Sequence, residues 1–222
     1  LDALEKSGVA ENTLLFFTSD NGCSPQARLP ELREKGHDPC AGFRGTKADL
    51  WEGGHRVPFL VRWPAKVKAG SESGAIVCLT DFFATCAEIT GAKIADTMAE
   101  DSVSMLPALR GESGLRNTLV SHSIAGHFAI RKGSMKLLLS PGSGGWSDPK
   151  PGAPAAAKLP PTQLYDLAVD RAETKNLAAE RGAEVAELTA LLEKYVAEGR
   201  STPGAPQKNT VEVQIHKGPK KK

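Results

Sequence analysis

The stretch Thr13-Leu14-Leu15-Phe16-Phe17-Thr18-Ser19-Asp20-Asn21-Gly22 decides how the rest of the chain is read. Leu14 to Ser19 is a continuous apolar, β-favouring run bounded by Asn12 and Gly22. That pattern predicts a fully buried strand with parallel partners. In open α/β sheets, ligands bind just outside the carboxyl ends of the strands, and Asp20 and Asn21 stand at such an end. A carboxylate beside an amide carbonyl suits a hard cation such as Ca²⁺ or Mg²⁺. Asp-Asn-Gly by itself also makes an ordinary turn, so the segments downstream carry the decision.

The first of these is Gly42-Phe43-Arg44-Gly45-Thr46-Lys47-Ala48-Asp49-Leu50-Trp51-Glu52-Gly53-Gly54-His55-Arg56-Val57-Pro58, which leads into a second strand ending at Trp63-Pro64. The second is Gln163-Leu164-Tyr165-Asp166-Leu167, followed by Asp170, Glu173 and Asn176-Leu177. In this order and spacing the three segments resemble the sulfatase family, of the arylsulfatase A-like kind within the alkaline-phosphatase-like superfamily. The resemblance implies that Asp20 and Asn21 are metal ligands and that Lys47 serves the sulfate group. It implies an α/β fold: residues 1–100 as the latter part of a mixed-sheet sandwich, and residues 101–222 as a small antiparallel sheet with a C-terminal helix and an irregular tail. It also implies a divalent metal, Ca²⁺ before Mg²⁺, and a formylglycine made from a Cys/Ser-x-Pro-x-Arg motif, with two further metal-binding aspartates before Leu1.

Read as chemistry, sulfate-ester cleavage needs a nucleophile, charge compensation for the sulfuryl oxygens and a proton for the leaving oxygen. The Lys47 ammonium is a compact charge on a flexible stem, suited to a tetrahedral anion, and Gly45, Gly53 and Gly54 allow the tight backbone that turns it inward. Glu52 and Arg56 are expected to pair and brace the loop, and Trp51 and Trp63 to pack. Nothing in the sequence decides the role of Arg44. His122, closing a strand between Ser121 and Ser123, is a candidate contact to substrate or leaving group; a satisfied strand-end histidine is the competing reading. His37 and His55 read as structural or solvent-facing, and His127 and His216 carry no signal.

The nucleophile is the missing part. Cys23-Ser24-Pro25-Gln26-Ala27-Arg28 approaches the required motif, but alanine fills the arginine position and the segment comes too late in the order. The chain is therefore expected to be a C-terminal portion that does not turn over substrate alone. Leu1 to Gly8 reads as the last turns of a helix with Gly8 as its C-cap.

The 222 residues, with 40% hydrophobic and 24% charged residues, are ordinary for a globular chain. A net charge of +2 gives no reason to expect a nucleic-acid partner. The partner implied is a sulfated small molecule or carbohydrate. No apolar run approaches the roughly 20 residues of a membrane span; a periplasmic or extracellular location is implied by the family alone. Cys23 and Cys40 bracket the loop before the Lys47 segment and would form either a disulfide or two free thiols. Cys78 and Cys86 read as core residues. The basic run from Lys217 to Lys222 reads as a frayed tail.

Further elements follow from periodicity. A short helix is expected near Leu29–Lys35, an extended stretch at Ile76–Leu79, and a helix over Asp81–Ile89 stopped by Gly91. Three short strands are expected at Thr118–His122, His127–Arg131 and Met135–Leu139, the last two joined by a turn at Lys132-Gly133-Ser134. Residues 140–161, with six prolines and four glycines, read as a long surface loop. A further strand at Leu164–Leu167 and an amphipathic helix through Val185, Leu188, Leu191, Leu192, Tyr195 and Val196 complete the pattern. Two other functions fit parts of it: a phosphodiesterase or phosphonate hydrolase of the same superfamily, and a non-catalytic carbohydrate-binding module using Trp146.

Overall fold

A computed structural model of the protein describes residues 1–113 and 115–217. The basic tail from residue 218 onward lies outside the described residues. The chain forms two compact units, each built from separated segments. The first comprises Leu1–Ser19, Pro58–Asn117 and Arg200–Gln207; the second comprises Asp20–Val57, Thr118–Gly199 and Lys208–Lys222.

In the first unit, helix α1 (Asp2–Lys6) precedes strand β1 (Leu15–Thr18). The expected second strand is β2 (Phe59–Arg62). The two pair antiparallel, with Leu15 opposite Arg62 and Thr18 opposite Phe59. This corrects the expectation of a buried parallel strand. Phe16 and Phe59 pack with Phe82 of helix α4 (Asp81–Thr90), at ring separations of 4.6 Å and 6.1 Å. The alternate residues Phe17 and Leu60, opposite each other in the ladder, are 63% and 59% exposed. An all-apolar run reports affinity for a sheet, but neither the pairing direction nor how many faces are covered.

Helix α4 ends at Gly91, whose φ of 72° supplies the left-handed cap. Its buried positions are Asp81 and Thr85, one turn apart. Cys86 falls on the far side and is exposed, and Cys78 is half-buried. The reading of both as core residues is thus corrected: the 100° step from Thr85 to Cys86 carries the thiol off the buried face. The buried Asp81 carboxylate accepts the N–H groups of Cys78 (2.8 Å) and Val103 (2.9 Å) and pairs with Arg116. The Thr85 hydroxyl donates to the Asp81 carbonyl and accepts the Met105 N–H, just before helix α5 (Leu106–Leu109).

The second unit holds helix α2 (Leu29–Glu34), the short helix α3 (Glu52–His55), and an antiparallel sheet of β3 (Thr118–His122), β4 (Phe128–Lys132), β5 (Met135–Leu138) and β6 (Gln163–Asp166) in that spatial order. Gly133 takes φ 59° in the β4–β5 turn, where a side chain would be strained. Alternation sends Ile130, Leu137, Leu139 and Leu164 to one face. There they meet Leu188 and Leu192 of helix α6 (Gly182–Glu198). Ala129, Leu138, Tyr165 and Leu167 form the other core, with Leu50 and Trp51 of the Lys47 segment. The sheet is therefore covered on both faces, by a helix on one and by the loop carrying the candidate site on the other.

Residues 142–145 are buried, contrary to the expectation of a surface loop throughout 140–161. The Ser143 carbonyl accepts the Leu50 N–H (2.8 Å), and a Cβ built on Gly145 would collide with the Ala48 carbonyl. Glycine here serves close approach of two backbones rather than a bend in solvent.

Candidate active site

The two segments singled out from the sequence meet through their backbones. Gly22 donates its N–H to the Gly54 carbonyl (2.9 Å), and Lys47 donates its N–H to the Cys23 carbonyl (2.9 Å). A Cβ on Gly22 would fall inside the Gly53 carbonyl, and one on Gly53 would strike the carbonyls of Arg44 and Gly45. These glycines bring Asp20-Asn21 alongside the Lys47 loop at a distance no side-chain-bearing backbone permits. Cys23 is disulfide-bonded to Cys40, with a Cα separation of 5.8 Å. Of the two open readings of these cysteines, the bridge is the one formed, and its sulfur is thereby removed as a thiol nucleophile.

Asp20 is exposed and Asn21 half-buried. The Asn21 Nδ2 donates to the Gly22 carbonyl (3.0 Å). A carboxylate and an amide oxygen fit a hard cation in kind. Among the described residues no group of three or more His, Cys, Asp or Glu is placed to hold a metal.

The Lys47 loop is held by Asp49, which the sequence reading left without a role. Its buried carboxylate accepts the N–H groups of Thr46 (2.8 Å), Trp146 (2.8 Å) and Ser147 (3.0 Å). Ala48 between them has a φ of 81°, and its carbonyl accepts the Ile124 N–H (3.1 Å). That bond brings the β3 end, and the exposed His122 two residues before it, alongside the loop. The His122 Nδ1 lies 3.1 Å from the Ser123 carbonyl. Trp51 and Trp63 are both buried, 2% and 7% exposed, as packing residues should be.

Beneath the loop lies a buried ionic cluster. Lys136 of β5 places Nζ 2.8 Å from Glu52 Oε1, 2.9 Å from Glu173 Oε1 and 3.2 Å from His55 Nε2. All three charged side chains are under 5% exposed. Glu52 also pairs with Arg56 (3.1 Å), the brace expected from the sequence. Glu173 accepts the Glu52 N–H on Oε2 (2.6 Å), and its backbone carbonyl accepts Arg44 NH1 (2.8 Å). The Arg44 guanidinium lies 3.7 Å over the Trp51 ring, which settles its place as packing against the loop. Burial opposes ionisation of Glu52, yet the Lys136 ammonium, with His55 and Arg56, draws its pKa down to about 2. Glu173, held chiefly by burial and facing the Glu52 charge, is raised despite Lys136. Burial and Lys136 lower His55 to about 4, so its ring is neutral at pH 7. Lys136 escaped the sequence reading because one lysine between Met135 and Leu137 looks like the outward position of a strand. Glu173, within the third quoted segment, was its visible partner.

Residues 1–92 match the Sulfatase family model. An N-acetylgalactosamine-6-O-sulfatase of Bacteroides thetaiotaomicron is 33% identical over 87% of this chain and 38% of its own length. A solved structure from work on glycosaminoglycan metabolism by Bacteroides thetaiotaomicron superimposes with a TM-score of 0.72 at 33% identity, over 87% of this chain and 40% of that one. A second, solved in complex with its substrate D-glucosamine-2-N,6-O-disulfate, gives a TM-score of 0.63 at 27% identity, over 87% and 36%. Residues 1–92 of the chain belong to the sulfatase family, and the mixed α/β architecture with antiparallel sheets is that of the alkaline-phosphatase-like sulfatase structures. The chain spans well under half the length of each of these relatives.

Proposed function

We propose that the protein of which this chain forms part hydrolyses sulfate esters of carbohydrates, with Lys47 binding the sulfate group and Asp20 and Asn21 supplying metal ligands. The observation that carries this is the pair of backbone bonds, Gly22 to Gly54 and Lys47 to Cys23, that joins both segments into one site. The names of the relatives support a sulfated sugar as substrate.

In this reading the Lys47 ammonium neutralises charge on the sulfuryl oxygens, and does so most strongly where charge develops in the transition state. Asp49 fixes the loop so that this charge is in place before reaction, without reorganisation. Asp20 and Asn21 would hold a hard divalent cation, Ca²⁺ by preference; when bound, such an ion polarises the sulfuryl group and orients the attacking oxygen. His122 is a candidate contact to the sugar or leaving oxygen at the rim. A formylglycine nucleophile fits no residue of this chain, since the near-match at Cys23 is tied up in its disulfide. The bridge itself suits an oxidising compartment such as the periplasm or the cell exterior.

The test is sulfate release by the intact protein from a 6-O-sulfated N-acetylhexosamine and from an aryl sulfate, with a phosphodiester for comparison. Release from the sulfated substrates, abolished by chelation and restored by Ca²⁺, supports the reading. Turnover of the phosphodiester alone would replace it with the phosphodiesterase function.

A further inference from the structure

Both ends of the Lys47 loop are anchored on one buried cluster. Before Lys47, Arg44 donates to the Glu173 carbonyl; after it, Glu52 donates its N–H to the Glu173 carboxylate and receives Lys136 on its own. The loop is also closed on itself, Gly53 donating to the Arg44 carbonyl (2.7 Å). Immediately beyond Glu52 stand Gly53 and Gly54, the residues against which Gly22 packs. A displacement of Glu52 therefore moves the Lys47 loop and the support of Asp20-Asn21 together.

Lys136 makes little sense as a contribution to stability alone. Desolvating an ammonium and two carboxylates is costly, and replacing all three together by apolar groups of similar volume is often neutral or stabilising. Its neighbours Leu137 and Leu138 show what β5 accepts when only packing is at stake. What an ammonium adds is a fixed point: it draws two carboxylates, 84 residues before it and 37 after it in sequence, to a single position.

We propose that Lys136 is a positioning residue for the sulfate-binding site, holding the Lys47 loop in its working geometry through Glu52 and Glu173. The activity side of this inference rests on the function proposed above; the geometric side does not.

The experiment compares wild type, Lys136→Met and Lys136→Arg in the intact protein, with Lys132→Met as a control for an exposed lysine of the same sheet, paired with Glu187. Two quantities are read on folded protein. The first is amide hydrogen exchange at Gly22, Lys47 and Gly53. The second is kcat/KM for sulfate release. Lys136→Met is expected to speed exchange at those three amides at least about tenfold while the β3–β4 ladder at Val120 and Ile130 keeps its protection. It is expected to lower kcat/KM about a hundredfold, as misplacement of about 1 Å does. Lys136→Arg should recover part of both, and Lys132→Met should change neither. If Lys136→Met does not fold, Lys136→Met/Glu173→Gln, which removes the surplus buried charge, takes its place with the same expectations. Wild-type exchange at the loop, or exchange that rises equally across the sheet, would overturn the proposal. Should wild type release no sulfate, the proposed function falls, and the exchange result alone decides the role of Lys136.

Discussion

The buried Asp81 of the first unit and the buried pair Glu52 and Glu173 of the second are satisfied by different means. In the first unit Asp81 is met mainly by backbone, the N–H groups of Cys78 and Val103, with Arg116 as its charge partner. That arrangement ties the start of α4 to local chain and resembles a cap. In the second unit Glu52 and Glu173 are met by side-chain charge, with Lys136 shared between them and Arg56 on the outside of Glu52. Asp81, held mainly by amides, serves the element it caps. Acids held by one shared ammonium link distant segments, and here the linked segments carry the candidate catalytic loop.

The comparison is broken most forcefully at Lys136. Its replacement by methionine leaves two buried carboxylates without their cation and should cost about 3–5 kcal/mol in urea denaturation of the intact protein. Adding Glu173→Gln should return part of that loss, because the surplus charge is gone. A double variant no more stable than the single one would mean the two side chains are not coupled. At Asp81 the corresponding change, to alanine, strands two N–H groups and Arg116 and should cost about 3 kcal/mol. Here no loss of protection is expected at Lys47 or Gly53 in hydrogen exchange; loss there would erase the distinction drawn between the two acids.

A titration sharpens the contrast. The His55 ring has its folded pKa lowered from 6.5 to about 4, so folding disfavours its protonation. Its contribution to stability is whole above pH 6.5 and is lost as pH falls from there through about 4. Glu52, lowered from 4.5 to about 2, adds a loss of the same sign below pH 4.5. Glu173, raised, contributes in the opposite sense. Stability of the intact protein should therefore fall between pH 6.5 and 4, and His55→Asn should flatten that slope. An unchanged slope would show that some other group carries it. The smallest effect is expected at Lys132. Its pair with Glu187 is exposed and solvent-screened, so Lys132→Met should cost no more than about 1 kcal/mol.

The candidate site was legible from the sequence where its chemistry is local. Asp20-Asn21-Gly22 and the Lys47 segment stood out together through their order, spacing and family resemblance, and Gly22 and Gly53 are points of backbone contact. The antiparallel sheet and α6 were readable from alternation and the 3.6-residue period, since each buries one stripe. Other features depend on partners far along the chain. Lys136 is isolated among apolar residues, and only the fold shows that its face of β5 looks onto Glu52. Gly144 and Gly145 read as loop because nothing local says that Ala48 and Leu50 lie against them. The apolar run at β1 promised burial on both faces, while Phe17 is exposed.

The most direct test of the account is the rate of sulfate release by Lys47→Ala beside wild type, in the intact protein, on a 6-O-sulfated N-acetylhexosamine. The Lys47 side chain is half-buried in a loop secured by its own backbone and by Asp49. The variant should therefore fold with a wild-type denaturation midpoint while kcat/KM falls about a hundredfold or more. A folded Lys47→Ala protein that releases sulfate at the wild-type rate would contradict the account.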